Sequence, residues 1–353
     1  MRKRNNGAMV ALCGRNRESF MIRSHIAASL ASALLIAPVA PVHAQTAVRS
    51  ISATDKAQGG QAHPQLLAEF GGAYRGPQAA FVERVGKRVA VQSGLSNAGS
   101  DFTVTLLDSP LENAFAIPGG YIYVTRQLLA LMTSEAELAS VMGHEVGHVA
   151  ARHAASRNTR ATIGSLLARG VGLATGSDIA TRVAGAGAQL YTLKYGRDQE
   201  YQADALGVRY IAAAGYSPYA SADILAALDE STGLTAQASG TARSGPTWAS
   251  THPNGADRVR RAVQLAKATG TPAVAVAQDT AFLRMLDGLP YGDLKQGRKV
   301  IRVVTVGARD TIDTLSQRMA VADSKRERFL VINGLSADEP LRPGTLVKLV
   351  VAA

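Results

Sequence analysis

Residues 140–153, SVMGHEVGHVAARH, bring three histidines and one glutamate into fourteen positions of a 353-residue chain. On a helix, His144 and His148 differ by about 40° in direction and one turn in height, so both imidazoles face the same way. That geometry suits two nitrogen ligands of one Zn²⁺ ion. Glu145 lies about 100° from His144, close enough to reach a water held at the metal without ligating it. Its carboxylate could take a proton from that water and return it to a leaving amine. Gly147 leaves room beside His148 for substrate or for a crossing backbone. His153 falls about 140° round the helix from His148 and is left out of the site. The alternative is an ordinary amphipathic helix whose histidines are solvated.

A catalytic zinc usually has three protein ligands and one open position. The third is offered by YGRDQEYQADALG, where Glu200 and Asp204 are again four apart on an expected helix. Glu200 would ligate the metal. Asp204, one turn on, would hydrogen-bond a ligand histidine and fix its tautomer.

The elements that must position these residues follow from local patterns. A helical pattern spans about Leu66 to Val91. DFTVTLLDSP predicts a strand at 101–107. Pro118-Gly119-Gly120 predicts a turn into a strand from Tyr121 to Val124. Ser134 with Glu137 three residues later reads as a capping box opening the helix that carries His144. Helices are expected at about 197–214 and 218–231, with a polar loop at 232–250. The stretch 160–190 is rich in Gly, Ala, Leu and Val. It reads as closely packed small-residue helices or a mobile loop near a site, with a membrane-touching pair as the other option.

Four segments, NAFAIPGGYIYVTRQLL, SEAELASVMGHEVGHVAARH, YGRDQEYQADALGVRYIAAAGYSP and STHPNGADRV, occur here in one order. In this they resemble the gluzincin zinc metallopeptidases related to HtpX, the CAAX prenyl protease and BepA, over roughly residues 65–268. The resemblance implies an α+β fold: a mostly helical zincin-like domain with a small β-sheet whose edge receives extended substrate by strand addition. Carried over, His144, His148 and Glu200 resemble the zinc ligands, Glu145 the general base and Asp204 the carboxylate that hydrogen-bonds a ligand histidine. Asn113, Ala114, Phe115 and Ala116 fit the substrate-edge strand. His252 matches the family's His-Pro motif at a loop-to-helix junction. It is expected either to donate to the oxyanion formed at the peptide carbonyl or to occupy the fourth zinc position at rest. Arg258 would support Asp204 or the oxyanion, or be a solvated helix arginine. The chain lacks the hydrophobic spans of the integral-membrane members.

From residue 299 the pattern strand, helix, helix, strand resembles a small βααβ LysM carbohydrate-binding module, carried by Asp310-Thr311-Ile312, Ile332-Asn333-Gly334-Leu335 and Pro343-Gly344. The resemblance implies peptidoglycan as a possible partner, or a module that caps the substrate cleft. The expected organisation is a leader at 1–44, a linker at 45–62, a metallopeptidase domain at 63–270, a linker at 271–298 and the LysM-like unit at 299–353.

The leader reads as a cleavable signal peptide with Met21 as an alternative start, and a membrane anchor as the other reading. Cys13 is the only cysteine of the chain. The mature protein would have none, so its core, with or without a metal, must hold it. The formal charge of +11 is concentrated in the leader, which has six Lys/Arg against one Glu. The remaining 32 basic and 26 acidic residues form no polybasic block, which argues against nucleic acid and leaves room for peripheral attraction to an anionic membrane. The reading is a periplasmic zinc endopeptidase acting on misfolded or stalled envelope proteins. The alternative is a chaperone-like outer-membrane assembly factor, or a peptidoglycan-associated protein, in which proteolysis is secondary.

Overall fold

A computed structural model describes residues 51–97, 99–153, 195–239, 248, 252, 255–274, 277–338 and 340–353. The leader with Met21 and Cys13, and the small-residue stretch 160–190, lie outside them.

The first sheet has strands β1 (Thr103–Leu107), β2 (Ala114–Ile117) and β3 (Tyr121–Thr125) in the order β1-β3-β2. β1 runs parallel to β3, and β2 pairs antiparallel with it from Ala114 opposite Val124 to Ile117 opposite Tyr121. The link between β2 and β3 needs two left-handed residues, Gly119 (φ 95°) and Gly120 (φ 83°), a region that costs a side chain strain. Helix α2 (Gln78–Ala90) packs Val82, Val85 and Val89 into the same buried core as Val104, Ile122 and Val124. The core side of that sheet thus faces α2 and α4 (Glu135–Ala150).

Several expectations are corrected. The stretch read as a linker is helical from Ala53, as α1 (Ala53–Glu69), opened by Ser52 Oγ accepting from Asp55 N–H. Its signal was hidden by Gly59 and Gly60, yet a Cβ at Gly59 would sit 2.3 Å from Pro118 O, so the close contact with the hairpin demands glycine. The single helix expected over 66–91 is two, because the chain turns through Gly71 and Gly72 at positive φ. Helix α6 (Ala220–Ser239) runs into the expected loop, whereas α5 (Arg197–Ala213) lies where expected. Ser134 caps α4 as read, but the Glu137 carboxylate bonds Thr133, through its N–H (2.7 Å) and hydroxyl (2.6 Å). The box is therefore shifted outward by one residue.

After α3 (Arg126–Leu131) and α7 (Ala256–Ala268), the stretch read as a second linker contains α8 (Thr280–Met285) and β4 (Pro290–Tyr291). β4 joins β5 (Lys299–Thr305) and β6 (Leu346–Ala352) in an antiparallel sheet, order β4-β5-β6. Between β5 and β6 come α9 (Ile312–Gln317) and α10 (Lys325–Asn333), the strand-helix-helix-strand order expected. Buried residues of this unit and of the first sheet belong to one hydrophobic core. Among the described residues, no helix is long and apolar enough to cross a membrane.

The contact that positions the chemistry is the crossing of α4 and α5. A Cβ added at Gly147 would lie 2.8 Å from Ala203 O, and one at Gly207 would lie 2.9 Å from His144 N. Gly147 thus makes way for a crossing backbone. Gly207→Val is expected to destabilise the fold by about 1–3 kcal/mol by overpacking this crossing and to lower metal content with it. Urea unfolding and metal analysis of the purified variant check both.

Candidate metal centre and active site

Four side chains converge between α4, α5 and the segment before α7. His144, His148, Glu200 and His252 each offer a ligand atom, and these atoms all lie within 4.8 Å of one another. All four are buried. The arrangement brings together the three residues expected as ligands and the histidine expected beside them. His252 Nδ1 is 3.0 Å from Glu200 Oε1 and 3.2 Å from His144 Nε2.

The residues fit a cation on their own geometry. His144 Nε2 and His148 Nε2 are 3.0 Å apart, an arrangement that two unprotonated nitrogens do not hold unaided. The partners of the opposite ring nitrogens fix which lone pairs converge. Asp204 Oδ1 accepts from His144 Nδ1–H at 2.9 Å, leaving Nε2 bare. The Gln202 Oε1 acceptor is 2.9 Å from His153 Nε2, which assigns that nitrogen as the donor and leaves His153 Nδ1 to accept from His148 Nδ1–H at 2.8 Å. His148 Nε2 is then bare as well. Glu200 Oε2 is buried with no hydrogen-bond donor, although Arg258 Nη1 lies 2.8 Å away as an ion-pair partner.

His153 therefore belongs to the site, correcting its exclusion on the helical wheel. The helix ends at Ala150 and Arg152 turns left-handed (φ 56°), so the rotation per residue no longer applies and His153 folds back onto His148. Arg258 is buried, not solvated. It donates to Asp204 through Nε (2.8 Å) and Nη2 (2.7 Å), a two-pronged grip on the carboxylate that orients His144.

The electrostatics follow. Burial pulls His144 down, but Asp204 and Glu200 outweigh it and hold the imidazole up at about 9. Burial, with His144 and His252 beside it, pushes His148 well below the ordinary histidine value. Burial raises Glu200, yet His252 and His144 overcome it and hold the carboxyl below its usual range. Asp204 is likewise raised by burial and carried lower by Arg258 and His144. With Glu145 also buried, three carboxyl groups share the pocket with one guanidinium, an acidic excess that suits a cation.

Two aromatic residues escaped the sequence reading. The Tyr195 ring stacks on His148 with centroids 3.8 Å apart; burial, Glu145 and Glu200 all raise its hydroxyl. Trp248 Nε1–H donates to Glu145 Oε1 at 3.1 Å. Its only signal was being the one tryptophan of the chain, within a polar stretch. Asn113 is buried at the start of the hairpin, its backbone paired with Thr125 and its Oδ1 without a hydrogen-bond partner. Ala114, Phe115 and Ala116 follow it on β2, an outer strand of its sheet.

Residues 77–266 match the sequence model of peptidase family M48. The chain is 28% identical over 213 residues to the mitochondrial metalloendopeptidase OMA1 of Schizosaccharomyces pombe, covering 59% of each protein. It is 31% identical over 145 residues to the putative beta-barrel assembly-enhancing protease of Vibrio cholerae, covering 38% of this chain and 30% of that one. With the beta-barrel assembly-enhancing protease of Escherichia coli O157:H7 it shares 26% over 220 residues, or 56% of this chain and 45% of the relative. The chain thus spans less than two thirds of these relatives.

Replacing His153 with Ala removes the acceptor that fixes the His148 tautomer. Affinity for a divalent metal is expected to fall about 10- to 100-fold, read by competition with a chromophoric chelator, while the folded circular-dichroism spectrum persists.

Proposed function

The chain belongs to peptidase family M48, and from that premise we propose that it is a zinc endopeptidase acting on unfolded or stalled proteins of the cell envelope. The observation that carries this reading is the convergence of His144, His148 and Glu200 beside the buried Glu145. The export-type leader and the relatives named for barrel assembly support the envelope and a periplasmic setting.

Zinc held by His144, His148 and Glu200 would supply the Lewis acidity that activates water and polarises the peptide carbonyl. Glu145, with Oε1 held by the Trp248 indole, takes the proton of the attacking water on its other oxygen and delivers it to the leaving amine nitrogen. Asp204 and Arg258 keep His144 in one tautomer throughout. An extended substrate adds to the outer side of β2, which pairs with no other strand than β3 among the described residues and begins next to Asn113. Pairing through the backbone suits a peptidase whose clients share no sequence.

His252 sits at rest among the ligands, with Nδ1 against Glu200 and Nε2 3.5 Å from Glu145 Oε1. In this reading His252 would complete the metal's donor set at rest, and would face the developing oxyanion as a donor once substrate is bound.

Two measurements test the reading. Casein cleavage by the chain from Gln45 should fall about 100-fold or more in Glu145→Gln, the scale of a lost general base, with zinc retained. Cleavage that survives in Glu145→Gln would remove Glu145 from its role. In cobalt-loaded protein the visible spectrum should change in His252→Ala, because a nitrogen donor gives way to water. An unchanged spectrum would take His252 out of the resting metal shell.

A further inference from the structure

Trp248, the only tryptophan of the chain, is buried at the meeting point of the base, the resting histidine and the hairpin segment. Its backbone N–H donates to Glu112 O at 2.7 Å, and its own carbonyl accepts from His252 N–H at 2.8 Å. Its indole lies nearly parallel to the His252 ring, centroids 4.8 Å apart, with the Arg258 guanidinium 5.2 Å from its centroid. Its Nε1–H donates to Glu145 Oε1 at 3.1 Å.

We infer that Trp248 is a positioning residue of the peptidase, fixing the general base through its indole N–H and bracing that base against the segment leading into β2. The inference rests on the role proposed for Glu145. A glutamate on a helix has three side-chain torsions, and its position beside His144 alone does not choose among them. A donor on a rigid indole, which has only two torsions, selects one orientation and turns the second oxygen outward. Because the indole is neutral, it does so without cancelling the carboxylate's charge. The Trp248 backbone is itself held by the carbonyl of Glu112, whose carboxylate accepts from Ser231 Oγ at 2.7 and 3.0 Å. Glu112 immediately precedes Asn113, so the segment that begins the substrate edge also holds the base. His252 shares this brace through its stack and its N–H bond to the Trp248 carbonyl.

The test separates orientation from packing. Trp248→Phe keeps an aromatic face for His252 and Arg258 and deletes the N–H donor together with the volume of one ring, whose packing cost the zinc content and the folded spectrum report separately. With the full-length holoenzyme and casein, kcat should fall on the order of ten- to hundred-fold, the cost of a misplaced catalytic group. KM and zinc stoichiometry should stay unchanged. A folded Trp248→Phe with wild-type kcat, or one whose loss follows zinc content, overturns the inference. A second measurement needs no cleavage and keeps Trp248 in place. As the sole tryptophan, it reports its own surroundings, so Glu145→Ala should shift its emission maximum or intensity. Glu145→Gln, which retains an acceptor oxygen, should stay near wild type. An unchanged Glu145→Ala spectrum overturns the inference too. Should the wild type not cleave casein, the peptidase reading fails, and the emission pair still decides whether the indole holds Glu145.

Discussion

Everything catalytic in this fold depends on how closely α4 and α5 approach. Three glycines, Gly143, Gly147 and Gly207, stand at their crossing together with Ala203 and Ile211. A Cβ at Gly143 would already lie 3.0 Å from Gly207 O, so no larger residue fits without moving a backbone. The carboxylates ride on the same helix as that contact, Asp204 next to Ala203 and Glu200 one turn earlier. The 2.9 Å bond from His144 Nδ1–H to Asp204 exists because the two backbones nearly touch. Separate them by the width of a methyl group, and Glu200 withdraws from His144 and His148 along with Asp204, which orients the His144 ring.

Such proximity concentrates charge where solvent cannot relieve it. Glu145, Glu200 and Asp204 are buried together, and Arg258 is buried among them. A buried charge without a partner is costly enough to unfold a domain or to change its own protonation. Here burial pulls both rings down; the carboxylates around His144 outweigh it, whereas the imidazoles around His148 add to it. A dication at the convergence of the bare nitrogens and Glu200 answers both pulls. The centre is therefore a likeness of charge and coordination, not of residue spacing alone.

This difference explains what the sequence could reveal. His144, Glu145, His148, Glu200 and Asp204 were legible because each pair lies within one helix, where spacing fixes direction. The α2–β1 and β2–β3 order was legible for the same reason: period and turn chemistry are local. His153 was misplaced because one left-handed residue, Arg152, ends the regular rotation on which its exclusion rested. Trp248 was missed because its partners Glu145 and Glu112 are more than a hundred residues away, and no period announces such a contact. The stretches read as linkers failed differently. α1 conceals its helix behind Gly59, which a close contact requires, and the stretch from 271 to 298 buries Phe282, Leu283, Leu286 and Leu289 in elements too short to show a period while bonding to distant residues.

That last group alters what the C-terminal unit is physically. Asp279 Oδ2 accepts from Glu135 N–H at 3.0 Å, at the first turn of the helix that carries His144. The fully buried Lys348, on β6, donates to the carbonyls of Ala130 (2.9 Å) and Leu131 (3.2 Å), filling acceptors left open where α3 ends. Burial pulls that ammonium down to about 7 against Glu137, a cost accepted only because the carbonyls around it would otherwise be unpaired. Arg126, at the start of α3, reaches back to the carbonyls of Pro290 (3.1 Å) and Gly292 (2.9 Å). A tether to wall glycan would need none of these bonds. They grip α3 at both ends and α4 at its origin, so the stretch from Asp279 to β6 helps set where the helix that carries His144 begins. A ligand that engaged this unit would therefore act on the body that carries the site, not on a tail beside it.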